Sequence, residues 1–210
     1  HLIDWNKLKQ RAFQSDLVSI IIPVFGEPNL LKKCVESIYA SQSSLKYEVV
    51  LVDNKKDRET TKTINILSEM YQNISIQSNL FNYNFSLGCN SGLLKAKGSH
   101  LIFLNTDTVV EDYWIDKLIR PLNNPFIRAV QPKLVYSKDK IQSIGTALSS
   151  WSYMPFELYK NEPANASHVN YSRPFNIVTA ACIAVRTTDF VRVNGFNTQY
   201  INGCEDIDLC

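Results

Sequence analysis

The sequence predicts an α/β fold with a mixed, mainly parallel sheet and helices on both faces. Three observations carry this. Continuous β-branched runs recur at "VSIIIPVF" (18–25), "YEVVLVDN" (47–54) and "HLIFLN" (100–105), as in strands buried on both faces. Segments with helical apolar spacing separate them. Such strand–helix alternation is what a parallel sheet with crossover helices requires.

The elements follow in order. After the first strand, Pro28 sits where a first helical turn accepts it, and Leu30, Leu31, Cys34, Val35 and Ile38 follow at helical spacing. Residues 58–71 read as a helix with Ile64, Leu67 and Tyr71 on one face, and "ISIQ" (74–77) as a short strand. The polar loop "SNLFNYNFSLG" leads to a helix near 88–97, and Ile115, Leu118, Ile119 and Leu122 mark another around 112–122. From Ala129 the pattern changes: "AVQPKLVY", "IQSIGTALS" and "IVTAACIAVR" are strand-like, and a long polar loop starting at Tyr153 precedes the last of them. A loop of that length in a compact domain is functional or mobile. A short helix near 187–193 follows. The opening residues form either a short helix docked through Leu2, Trp5 and Leu8 or a linker. Residues 1–16 are therefore assigned to an extension or linker and 17–210 to one domain, cut from a longer chain.

At 210 residues the chain is ample for a substantial core, and 45% hydrophobic and 20% charged residues are ordinary for a globular protein. A net charge of +2 does not suggest nucleic-acid binding. No apolar run reaches the roughly 20 residues of a membrane span. The five cysteines (34, 89, 182, 204, 210) are widely spaced, with no C-x-x-C pair. This argues against a zinc knuckle or disulfide framework and for a reduced, cytoplasmic setting.

Ligands of open α/β sheets bind outside the carboxyl ends of the strands. The first strand ends in Pro23-Val24-Phe25-Gly26-Glu27, the second in Asp53-Asn54, the fourth in Asn105-Thr106-Asp107. Parallel strands would put all three on one edge. Asp53 is either a cap for the next helix or an acceptor for a base or ribose group. Asp107 has the same two readings: it or Thr108 could cap the following helix, or Asp107 could give a hard oxygen to a divalent metal bridging phosphates. There is no G-x-G-x-x-G and no G-x-x-x-x-G-K-[ST], so a glycine-rich phosphate cradle is disfavoured. Near the end, Glu205, Asp206 and Asp208 alternate with Ile207 and Leu209. They form either a solvated acidic turn or a half-buried cluster suited to general-base work.

Taken together, "VSIIIPVFGE", "YEVVLVDN", "NFSLGCNSGLLKAKGSHLIFLNTDT", "VTAACIAVRTTDFVRVNGFN" and "GCEDIDLC" resemble inverting family-two glycosyltransferases of the GT-A fold. The closest flavour is the bacterial rhamnosyltransferase-like, polysaccharide-assembling subgroup. The resemblance covers about residues 17–210. It implies that Pro23, Val24, Phe25 and Glu27 wrap the nucleotide, that Asp53 and Asn54 meet the base, and that Asn84 and Asn90 line the donor pocket. Asn105, Thr106 and Asp107 would stand for the family's D-x-D motif, with Asn in the first acidic position and Asp107 as the ligand of Mg²⁺ or Mn²⁺. Ala180, Ala181 and Cys182 would floor the donor-sugar site, and Glu205-Asp206 would be the acceptor-side pair, with Asp206 the base. The implied partners are a UDP-, dTDP- or GDP-sugar and a glycan or lipid-linked acceptor, selected in part by residues 151–176. The implied location is the cytoplasm, in solution or peripheral at the inner face of the cell membrane. The family carries further basic residues and a closing segment after this pair, which the resemblance places beyond Cys210. The competing readings are an inactive glycosyltransferase-like binding domain and a sugar-nucleotide pyrophosphorylase, whose glycine-rich basic signature "PVFGEPNL" does not supply.

Overall fold

The computed structural model describes residues 3–54, 57–152, 154–201 and 203–210; Leu2 and Tyr153, named above, lie outside them. A six-stranded sheet forms the centre. Its parallel part comprises β1 (Gln14–Val24), β2 (Lys46–Asp53), β3 (Ile74–Ser78) and β4 (Gly98–Leu104). β5 (Ala129–Val130) and β10 (Cys182–Arg186) complete it in the order β3-β2-β1-β4-β10-β5. β10 runs antiparallel to both β4 and β5. The remaining strands, β6 (Leu134–Tyr136), β7 (Lys140–Ser143), β8 (Thr146–Leu148) and β9 (Pro155–Glu157), pair as two small hairpins, β6-β7 and β8-β9.

Alternate residues of the central strands feed two cores. Ile20, Ile22, Val24, Val49 and Leu51 meet α2 (Pro28–Ala40), α3 (Arg58–Met70) and α5 (Trp114–Ile119) on one face. Ile21, Val50, Val52, Leu101 and Phe103 meet α4 (Phe85–Gly92), α6 (Thr187–Arg192) and the N-terminal α1 (Trp5–Lys9) on the other. The strands are therefore apolar on both sides, which explains their unbroken hydrophobic runs. α1 is capped by Asp4, whose Oδ1 accepts from the Lys7 N–H at 3.0 Å, and it docks through buried Leu8. Among the described residues no helix is long and apolar enough to cross a membrane.

Three elements differ from expectation. α4 starts at Phe85 rather than near 88, because the Asn84 side chain accepts from the Leu87 N–H and caps it. The helix expected around 112–122 begins only at Trp114, behind Tyr113 in a left-handed conformation, and tightens into a 3₁₀ turn at Arg120–Asn123. The strand-like stretches after Ala129 are broken: Pro132, which cannot donate to a ladder, separates β5 from β6, and Gly145 (φ +148°) separates β7 from β8. The long loop contains β9 and a 3₁₀ turn at Ser167–Val169.

The amino ends of the parallel strands are joined by a buried polar node that hydrophobic patterning does not announce. Glu48 Oε1 accepts from the Ser19 hydroxyl at 2.7 Å and the Lys97 N–H at 2.6 Å, while Ser19 Oγ accepts from the Gly98 N–H at 2.8 Å. Removing the carboxylate strands these donors away from water, which costs about 1–3 kcal/mol. Glu48→Ala is expected to lower the unfolding free energy by that amount, read as a lower denaturation midpoint with an unchanged denaturant slope.

Candidate functional site

β1, β2 and β4 are parallel, so Val24, Asp53 and Leu104 all end on one edge of the sheet. Asp53 and the turn after Leu104 are two strand spacings apart, or about 10 Å, with β1 between them. At this edge Pro23, Glu27, Leu30, Phe85, Asn105, Thr106 and Asp107 line an open cleft of about 370 Å³.

The turn after β4 is pinned from three sides. The Asn105 N–H donates to Ala181 O at 3.0 Å. Its carbonyl accepts from the Thr108 hydroxyl at 2.7 Å and from the Cys34 thiol at 3.6 Å. That leaves Asp107 exposed at the cleft. Neither Asp107 nor Thr108 caps α5, whose N-cap is Tyr113, so the capping alternative is overturned. Burial pushes the Cys34 thiol up to about 11, with the Asp107 charge adding to the effect. It remains a neutral donor beneath the turn.

In the segment after β1, Gly26 and Glu27 both adopt left-handed backbones (φ 74° and 55°). This turns the chain into α2, which starts at Pro28. Phe25 is exposed, whereas Val24 is 1% exposed and packs in the core, away from the cleft. Asp53 is 2% exposed and accepts from the Thr61 hydroxyl at 3.0 Å. It does not cap the next helix; Asp57 does. Asn54 is also buried, its Oδ1 accepting from Asn79 Nδ2 at 2.8 Å. Neither Asp53 nor Asn54 lines the cleft.

Asn84 and Asn90 face the chain rather than the cleft. Asn84 Oδ1 caps α4 and its Nδ2 donates to the carbonyls of Thr198 and Tyr200. Asn90 is 1% exposed; its Nδ2 donates to Phe196 O at 2.7 Å and its Oδ1 accepts from the Phe196 N–H at 2.9 Å. Leu30 and Phe85 are cleft residues the sequence reading missed. Leu30 reads as a helix-packing residue by its spacing, and nothing in the sequence marks Phe85 until the Asn84 cap fixes where α4 starts.

The acidic pair arrives on α7 (Glu205–Leu209). Its members divide: Glu205 is 9% exposed, and its Oε2 has no hydrogen-bond partner among the described residues. Asp206 is half-buried and Asp208 exposed. Asp206 Oδ2 accepts from the Ala180 N–H at 3.0 Å and Oδ1 from the Ile207 N–H at 2.9 Å. Ala181, next to Ala180, bonds Asn105. The Asp206 carboxylate is thus linked through the Ala180–Ala181 backbone, by one hydrogen bond on each side, to the turn that carries Asp107. A carboxylate offers about four lone-pair sites, so it keeps acceptor capacity for a substrate proton.

Among the described residues no group of three His, Cys, Asp or Glu side chains could hold a metal ion. The cleft does present Asp107 and Glu27. This donor set fits a hard cation whose remaining ligands are water and substrate phosphates, the way Mg²⁺ is usually held.

The mainly parallel sheet with helices on both faces is the GT-A fold, and a solved glycosyltransferase shares it. The mannosyltransferase PcManGT from Pyrobaculum calidifontis, in complex with GDP-Man and Mn²⁺, superposes with a TM-score of 0.67 at 15% identity, over 98% of this chain and 56% of that one. At that identity the likeness is one of fold. The family model for glycosyl transferase family 2 matches residues 19–182, and the chain belongs to that family. It is 28% identical over 199 residues to the O-antigen biosynthesis protein RfbC of Myxococcus xanthus, covering 91% of this chain and 15% of RfbC. It is 25% identical over 217 residues to the rhamnosyltransferase WbbL of Escherichia coli K12, covering 92% of this chain and 75% of WbbL. The chain thus spans only a small part of RfbC and about half of the solved mannosyltransferase.

Gly195 makes the Asn90 clamp possible. It sits at φ +70°, and a Cβ there would overlap Asn90 Oδ1 and the Trp5 ring. Gly195→Ala is expected to cost about 1–2 kcal/mol from the left-handed backbone alone, with steric overlap on top, read as a fall in the thermal midpoint.

Proposed function

We propose that this domain transfers a sugar from a nucleotide-diphosphate donor to a hydroxyl of a glycan or lipid-linked acceptor, with inversion at the anomeric carbon. The observation that carries the reading is the fastening of Asp206 to the β4 turn through Ala180 and Ala181. It joins a proton acceptor and a diphosphate-facing carboxylate across one edge. Membership of glycosyl transferase family 2 and similarity to a rhamnosyltransferase and an O-antigen protein support it, and point to polysaccharide assembly.

In this mechanism Asp206 accepts the proton of the acceptor hydroxyl. The acceptor oxygen forms a bond to the anomeric carbon from the face opposite the diphosphate. The bond from that carbon to the diphosphate oxygen breaks, and its electron pair leaves with the nucleoside diphosphate. The cleft floor of Asn105 and Thr106 and the wall of Phe85 and Leu30 orient the donor and exclude water from one side. Asp107 and Glu27, which both line the cleft, would hold Mg²⁺ or Mn²⁺, which when bound offsets charge on the departing diphosphate.

A positioned base contributes about 10²–10⁴-fold. Asp206→Asn in the intact protein is expected to slow turnover by that factor while leaving nucleotide affinity unchanged; full turnover would exclude Asp206 as the base. Asp107→Ala is expected to abolish the Mn²⁺-dependent part of UDP, dTDP or GDP binding. Calorimetric titrations with and without Mn²⁺ check this, and an unaltered metal increment would remove Asp107 from the metal site.

A further inference from the structure

The stretch that leads to Asp206 has little packing to place it. Thr198, Gln199, Ile201, Gly203 and Cys204 are exposed. Gly203 has open space where a Cβ would stand, and both Gly203 and Cys204 lie in left-handed conformations. Besides bonds within the segment and from the Tyr200 hydroxyl to Asp208, its position depends on hydrogen bonds from α4. Asn90 grips both backbone groups of Phe196. Asn84 Nδ2 then donates to Thr198 O at 3.3 Å and Tyr200 O at 2.9 Å. The two asparagines are about 9 Å apart along the helix axis, so residues 196–200 lie along α4.

The residue type at 84 is informative. As a cap, Asp or Ser would serve as well as Asn. Only an amide accepts from the Leu87 N–H through its oxygen and at the same time offers two N–H groups to two carbonyls. Both hydrogens of Nδ2 have partners in the chain, so the amide is spent on the loop rather than on a ligand.

We propose that Asn84 is a positioning residue for the transfer reaction: its amide N–H groups tether residues 198–200 and, with the bond from Ala180, set where Asp206 stands. The proposal rests on the role given to Asp206 above, and its test separates the two. Asn84→Asp keeps the capping oxygen, favoured at a helix N-terminus, but turns an acceptor toward two carbonyls. In the intact protein the thermal midpoint and the amide protection of α4 are expected to persist, while the amides of residues 199–201 exchange faster. Release of nucleoside diphosphate from UDP-, dTDP- and GDP-sugars is expected to fall about 10²-fold, as a misplaced reacting group does, with UDP, dTDP and GDP affinity in Mn²⁺ unchanged. Lowering the pH until the introduced carboxyl protonates restores an O–H donor, and protection should partly return. Asn84→Ser caps without the reach, and should loosen the loop with no such recovery. Unchanged protection of 199–201 in both variants overturns the tether. So does a loss of nucleotide affinity in step with turnover, which would make Asn84 a donor contact. If the native protein releases nucleoside diphosphate from none of these sugars, the transferase reading fails, and the exchange data alone decide the tether.

Discussion

The antiparallel pairing of β10 with β4 decides where the rest of the site can lie. Cys182 stands opposite Leu104, so the beginning of β10, not its end, reaches the edge where the parallel strands finish. The ladder is extended by the Asn105 N–H bond to Ala181 O. The two residues before β10 therefore become the seam between the strand-helix half and the later half of the chain. A parallel β10 would have carried residues 179–182 to the opposite edge and left Asp107 without a neighbour from the second half.

The return of the chain to the same edge is secured by aromatic packing. After β10, α6 brings Phe190 against Phe103 of β4, with ring centroids 4.8 Å apart. Phe196 closes the cluster at 5.0 Å from Phe103 and 5.1 Å from Phe190. Offset and edge-on contacts of this kind are each worth about 0.5–1.5 kcal/mol beyond burial. The segment is thus anchored at Phe196 before it enters its exposed course. The opposite edge is locked separately by the Ser19–Glu48 node. Fixing the strands at their amino ends leaves the carboxyl ends free to carry polar groups such as the exposed Asp107.

What was legible in the sequence follows from how local each signal is. The parallel strands were readable because two-sided burial writes an unbroken apolar run. The shared edge of Asp53 and Asp107 followed from parallelism alone. Glu48 was invisible because one carboxylate inside such a run looks like an edge residue until its partners, Ser19 and the Lys97 N–H, are brought to it by pairing across three strands. The direction of β10 had no local marker, since "CIAVR" reads the same in either sense. The family resemblance implies donor-pocket roles for Asn84 and Asn90, but a polar residue near a cleft offers the same groups to a backbone as to a nucleotide. Only the geometry shows which of the two holds them.

The separation of Glu205 from Asp206 has a physical basis in the shortness of α7. Five residues cannot form a stable helix alone, because nucleation costs more than one turn returns. Its placement must come from tertiary anchors. Adjacent residues on a helix diverge by about 100°, so one acid can turn inward while the next faces the seam. Glu205 goes inward beside Cys89, whose thiol burial pushes well above its ordinary range with the Glu205 charge adding to it. Leu209 packs on the same core. Asp206 faces Ala180, and its oxygen takes a backbone N–H that would otherwise need another partner. The helix is thus held by the residue proposed to do its chemistry as well as by its apolar side. A change at Asp206 that removes the acceptor oxygens therefore costs position as well as proton transfer, whereas Asn keeps an acceptor oxygen and removes chiefly the base. That difference makes Asp206→Asn, rather than Asp206→Ala, the substitution that isolates chemistry from architecture.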